Sequence, residues 1–204
     1  MTSLTTTTAS ASFLCLIPQN PAPTQAQTNA RNLLGYCHVH ALLDTLSYSE
    51  GADYNTVVLG TVIRAPGHPE LVGKTNVKVP DFSQHPNILV YIPSIDKNST
   101  AAGRYQFLYR TWTPLGLPNF SPFNQDVGAV MRMQYRGMIT PLLNGDIEQA
   151  IENGNAEWAS LPGSPYGQGT RSMSSLKKVY NQSFLNCVQT MHQIHQGLRD
   201  DNGV

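Results

Sequence analysis

The feature that most limits what this chain can fold into is the stretch at residues 54–79. Its β-branched runs (56–59, 61–63 and 76–79) are never longer than four residues, and Gly60, Pro66, Gly67 and Gly73 interrupt them. Segments this short predict a small antiparallel sheet with long loops, not a barrel or a parallel sheet. Helical periodicity lies on both sides of it. At residues 29–49, Leu33, Leu34, Cys37, Leu42, Leu43 and Leu46 recur at helical spacing, and Gly51 supplies a stop just past Glu50. At residues 172–198, Leu176, Val179, Tyr180, Phe184, Cys187, Val188, Met191 and Ile194 form one stripe, predicting a closing helix packed on the core.

Further helices follow from their caps. Ser99 or Thr100 would open one running through Tyr105, Leu108 and Trp112 to Pro114 and Gly116. Ser121-Pro122 starts another to about Arg136, and Asp146 caps one carrying Ile147, Ala150 and Ile151. Strands clustered among helices, without βαβ alternation and without internal repeats, give an α+β domain. With 204 residues there is room for one core. Residues 1–28, rich in Ser, Thr and Pro, bury too little to order themselves and read as a flexible tail. The domain then spans 29–198, and 199–204 is a polar C-terminal tail.

Thirteen basic and thirteen acidic residues cancel, so no net positive field points to nucleic acid and no polybasic run points to an anionic membrane. The apolar run at 13–17 is too short to span a bilayer, predicting no stable membrane insertion. With no Lys or Arg before it, it makes a poor secretory signal. Cys15, Cys37 and Cys187 follow no metal-ligand spacing and cannot all pair. They read as reduced or buried thiols, because a Cys37–Cys187 bond would need the two long helices side by side. His192 and His195 share a helix face, but nothing nearby completes a metal set. No metal and no cofactor is expected.

Four segments in order carry a family resemblance. They are Ala41-Leu42-Leu43-Asp44-Thr45-Leu46-Ser47-Tyr48-Ser49-Glu50-Gly51, Asp81-Phe82-Ser83-Gln84-His85-Pro86, Ser99-Thr100-Ala101-Ala102-Gly103-Arg104-Tyr105-Gln106-Phe107, and Trp158-Ala159-Ser160-Leu161-Pro162-Gly163-Ser164-Pro165-Tyr166-Gly167-Gln168. Together with Asn119-Phe120-Ser121-Pro122 and Gly145-Asp146-Ile147-Glu148, they make residues 41–168 resemble the phage lambda endolysin family, lytic transglycosylases with a lysozyme-like fold. The segment between Asp53 and Asp81 is a few residues longer than in that family. The resemblance implies a mostly helical α+β domain with its small sheet beside an active-site cleft, and peptidoglycan glycan strands as substrate. It also implies synthesis in a bacterial host's cytoplasm and action on the cell wall in the periplasm. Release would depend on a holin or, through the N-terminal tail, on a virion or secretion partner.

Glycosidic cleavage needs a carboxylic acid that stays protonated and reaches the leaving-group oxygen. Glu50, at a helix end facing an apolar wall of Tyr48, Tyr105 or Tyr166, suits this role, because burial and the negative helix end both favour its neutral form. Hydrolysis usually needs a second carboxylate about 5 to 9.5 Å away. In the T-even phage lysozymes an Asp follows the Glu by nine positions, and here Leu59 stands there. Asp53, Asp81 and Asp96 are the remaining options, each also readable as a solvated loop carboxylate. A transglycosylase avoids the requirement, since the muramic 6-hydroxyl itself attacks the anomeric carbon. The resemblance assigns Tyr105 and Gln106 to sugar contacts on the cleft floor. Arg104 is read equally as a structural tie between helices. Tyr166, Gly167 and Gln168 form an opposing lip, and residues 87–96 another. His85 is expected to fix a loop by hydrogen bonding.

Overall fold

The fold is described from a computed structural model covering residues 22–167 and 169–200, with side chains described to residue 197. At its centre lies α2 (Cys37–Glu50), whose Val39, Leu42, Leu43 and Leu46 are buried on successive turns. Before it comes α1 (Gln25–Leu33), and after the sheet region come α3 (Tyr109–Trp112), α4 (Pro122–Tyr135), α5 (Ile139–Leu143), α6 (Ile147–Asn153) and α7 (Met173–Asp200). Helices α4, α5 and α7 all pack on α2, so the element that ends in Glu50 is held from several sides.

The expected helix over 29–49 is two helices. The first starts at Gln25, inside the stretch read as tail, because Thr24 and Gln27 form a reciprocal capping box. Gln27 is then buried, and its amide donates to the Leu115 and Gly116 carbonyls at 2.8 and 3.1 Å, locking α1 onto the body. The chain turns at Leu34 to Tyr36, and α2 begins afresh. Residues 1–21 and 201–204 lie outside the described residues, as does Cys15.

The sheet is antiparallel with order β1-β2-β3: β1 (Thr61–Arg64), β2 (Leu89–Ile92) and β3 (Lys97–Ser99). Only the middle expected run became a strand. Residues 56–59 and 76–79 contribute isolated bridges, Thr56 to Lys78 and Val57 to Ala102. Strand β2 lies within the segment 87–96 read as a lip, and β3 follows directly after it. The helix expected from residue 99 or 100 is only the four-residue α3. Before it the chain makes a tight turn with Gly103 at φ +77° and Gln106 at φ +50°, which no α-helix accommodates. Sheet side and helix side meet at an edge-to-face aromatic cluster in which Trp112 lies 4.7 Å from Phe120 and 5.0 Å from Phe107 between ring centroids.

The closing helix α7 forms as predicted and packs along α2. Cys37, the first residue of α2, is joined to Cys187 of α7 by a disulfide with a Cα separation of 5.5 Å. This overturns the reading of both residues as free thiols. The condition that sequence could not show, two long helices side by side, is met. From Val188 onward every described side chain of α7 is exposed, so the helix projects past the end of α2. No helix among the described residues is long and apolar enough to cross a membrane.

Candidate active site

Glu50 is the last residue of α2, and Gly51 ends the helix in the left-handed conformation at φ +61°. The carboxyl is mostly buried. Burial raises its pKa above the ordinary value, and hydrogen bonds from the Ser160 hydroxyl and backbone N–H pull it partly back. The Ser160 Oγ donates to Glu50 Oε1 at 2.6 Å, and Ser49 Oγ stands 2.7 Å behind Ser160 Oγ. Beyond Ser160, the Arg171 N–H donates to the Ser160 carbonyl at 2.9 Å, and the Arg171 guanidinium lies over the ring of half-exposed Tyr48, 5.1 Å from its centroid. Tyr48 sits on the last turn of the helix that carries Glu50, two positions before it.

Arg104 takes the structural side of its double reading. It pairs with Asp44 on α2 and lies 3.6 Å from Asp126 on α4, while donating to the hydroxyls of Tyr54 and Tyr105 at 3.0 Å each. Burial opposes its charge, but Tyr105, Tyr54 and Asp44 outweigh that and hold its pKa above the ordinary value. Tyr54 is pushed up to about 12 by burial and by Asp126. Ser183 of α7 donates to the other oxygen of Asp44, so the network links α2, α4, α7 and the turn at 103–106.

Tyr105 does not have the exposure that a sugar-stacking role needs. It is 1 % exposed, and its hydroxyl donates to Asp126 at 2.5 Å. The ring is a floor beam under the turn, not its surface. Gln106 is half-buried, at positive φ, with its amide donating to the Gly103 carbonyl at 2.9 Å. Tyr166 is half-exposed and its hydroxyl donates to the Ala156 carbonyl at 2.9 Å, so it anchors its loop while presenting a ring face. Gly167 turns the chain at φ +67°, and Gln168 lies outside the described residues.

The three spare aspartates are each tied into their own turns. Asp53 accepts from the Tyr54 N–H, Asp81 accepts from the backbone and hydroxyl of Ser83, and Asp96 accepts from the Tyr91 hydroxyl. Leu59 is 66 % exposed. His85 is buried, with one ring nitrogen 2.8 Å from the Phe107 carbonyl and the other accepting from the Asn87 N–H at 3.1 Å. It fixes its loop as expected. A groove of about 620 Å³ between α2 and α7 is lined by Asp44, Tyr48, Lys178 and Ser183 but not by Glu50, so it is distinct from the catalytic candidate.

Residues 40–185 match the model of the Endolysin family. The chain belongs to the endolysin family. Endolysin relatives include that of Escherichia phage lambda, 40 % identical over 67 % of this chain and 84 % of the relative, and that of Escherichia phage P2, 34 % identical over 70 % and 90 %. Among solved structures, bacteriophage lambda lysozyme complexed with a chitohexasaccharide superposes with a TM-score of 0.59 at 34 % identity, covering 72 % of this chain and 94 % of that one. A second structure of lysozyme from bacteriophage lambda gives 0.50 at 32 % identity. The fold of this endolysin is therefore lysozyme-like, and the chain is a wall-degrading enzyme of the lysozyme superfamily.

Sequence reasoning missed Ser160, which belongs to a quoted segment but was given no role, and Asp126, the partner of three site side chains. Ser160 had one visible signal, a polar residue set among Trp158, Ala159, Leu161 and Pro162. Its contact with Glu50 bridges 110 positions and had none.

Proposed function

We propose that this endolysin is a lytic murein transglycosylase. It cleaves the β-1,4 bond between N-acetylmuramic acid and N-acetylglucosamine and leaves 1,6-anhydromuramic ends, with Glu50 as its catalytic acid and then its base. The observation that carries the reading is Glu50 itself, a buried carboxyl biased toward its protonated form, while Asp53, Asp81 and Asp96 serve their own turns and Leu59 cannot ionise. Glu50 protonates the glycosidic oxygen, and the C1–O bond breaks with positive charge developing at C1. The muramic 6-hydroxyl then adds to C1, and its proton passes to the Glu50 carboxylate, which restores the acid. The nucleophile belongs to the substrate, so one carboxylate suffices.

The relative bound to a chitohexasaccharide supports a cleft that takes a β-1,4-linked chain of N-acetylated sugars. Here that chain would run between the Gln106 turn, under which Tyr105 and Arg104 sit as supports, and the lip of Tyr166, Gly167 and Gln168. The biological role that follows is host-wall lysis from the periplasmic side. The enzyme reaches it through a holin-opened membrane, with delivery by a virion or secretion partner as the alternative route.

Mass spectrometry of digested peptidoglycan is the deciding experiment. Anhydromuramic ends are expected, and reducing muramic ends would replace this reading with a hydrolytic muramidase. Glu50→Gln should lower turbidity loss at least about a hundredfold without moving the thermal unfolding midpoint, since general acid catalysis is worth that much.

A further inference from the structure

The chain of hydrogen bonds behind Glu50 assigns a role to a residue that the reaction alone does not call for. Ser160 Oγ gives its hydrogen to Glu50 Oε1 at 2.6 Å, so the 2.7 Å contact between Ser49 Oγ and Ser160 Oγ must be donated by Ser49. The relay therefore has one polarity, Ser49 to Ser160 to Glu50. A carboxyl oxygen that already accepts such a bond is the poorer place for a proton, which favours Oε2 as the protonated oxygen.

Ser160 is held where it can do this. Trp158 and Leu161 on either side are buried, and Glu157 just upstream is gripped by Arg132 at 2.7 Å and Arg136 at 2.9 Å. Arg171 fixes the Ser160 carbonyl. A turn anchored on three sides presents a hydroxyl at the catalytic candidate with little freedom to turn away, which is how a supporting residue keeps an acid aimed. A serine that only filled space would need neither the short bond nor the second serine behind it.

We propose that Ser160 is the positioning residue for Glu50: its hydroxyl, oriented by Ser49, occupies Oε1 and leaves the transferable proton on Oε2. This rests on Glu50 being the acid. When the proton leaves for the glycosidic oxygen, the same hydrogen bond stabilises the carboxylate formed and keeps Oε2 aimed for the proton's return.

The test compares wild type with Ser160→Ala, Ser160→Thr, Ser49→Ala and Glu50→Gln, using muropeptide release from purified peptidoglycan and 13C NMR titration of the Glu50 carboxyl. Ser160→Ala should lower kcat by about tenfold or more, the worth of one hydrogen bond to a charged group, with KM little changed. It should also move the Glu50 titration and the alkaline limb of kcat/KM to higher pH, because a bond favouring the carboxylate is gone. Ser160→Thr should restore both readouts, and Ser49→Ala should shift them in the same direction but less. Wild-type kcat and an unmoved titration in folded Ser160→Ala would overturn the proposal. So would a kcat loss that Ser160→Thr fails to recover while its unfolding midpoint is unchanged. Activity surviving in Glu50→Gln would instead overturn the role of Glu50, and the two failures are distinguishable.

Discussion

Glu50 and His85 are both buried, and burial acts on them with opposite sign, because one is charged when deprotonated and the other when protonated. For Glu50 the folded-state pKa lies above the unfolded value, so its contribution to stability is present at low pH and fades as pH rises. Its activity as an acid fades in the same direction. His85 is lowered to about 4 from 6.5, burial outweighing its bond to the Phe107 carbonyl. Its contribution is therefore fully present above pH 6.5 and lost as pH falls through 4, a swing of about 3 kcal/mol. NMR titration should show the His85 ring still neutral at pH 5, and urea midpoints should fall between pH 6.5 and 4. A ring that titrates near 6.5 would sink this expectation. The direction of the Glu50 shift was expected from a carboxyl at a buried helix end, but that of His85 was not, since the sequence shows it as one polar residue in a matched segment and says nothing of the Phe107 carbonyl it meets.

Among the elements, those with a side-chain cap and a continuous stripe were legible. Ser121 and Asp146 cap α4 and α6 as read, and α7 follows its stripe. Errors arose where tertiary contacts decide. Leu33, Leu34 and Cys37 keep helical spacing straight across the break before α2, so periodicity hid it. The helix read over Tyr105 failed because Gly103 must come close to its neighbours. A Cβ there would stand 2.3 Å from Gln125 Oε1 and 2.8 Å from the Phe120 ring, at a φ that side chains rarely adopt. That same Gln125 oxygen accepts the Arg104 N–H at 2.9 Å, so the turn is pinned to α4 from inside. Gly103→Ala should cost about 2 to 4 kcal/mol through strain and overpacking, measured by chemical unfolding, and should lower activity by displacing Gln106. A loss below about 0.5 kcal/mol would show that the turn can relax at little cost. The candidate acid could be named because its helix end, beside a glycine, lies in a segment that resembles the family. The support beneath the cleft, Tyr105 with Asp126, could not, since an aromatic beside Arg and Gln looks equally like a surface that stacks on sugar.

For the molecule as a whole, the disulfide is the feature that the sequence left open and helix packing produced. It closes a loop of 150 positions, and linking residues that far apart removes much conformational freedom from the unfolded chain. Reduction, or Cys187→Ser, should lower stability by about 2 to 5 kcal/mol in urea unfolding. The site should survive at moderate temperature, because Ser183, Asp44 and Arg104 still tie α7 to the body. An unchanged midpoint after complete reduction would argue that the bond does not form in solution.

The two bonded cysteines stand at positions 37 and 187, and Glu50, Gln106, Ser160 and Tyr166 all fall between them. A protease that severs the exposed backbone beside Tyr166 would split the polypeptide, yet the two pieces would remain joined as one covalent body. While the bond holds, a nick in the lip is a local injury and not a separation of the molecule into halves.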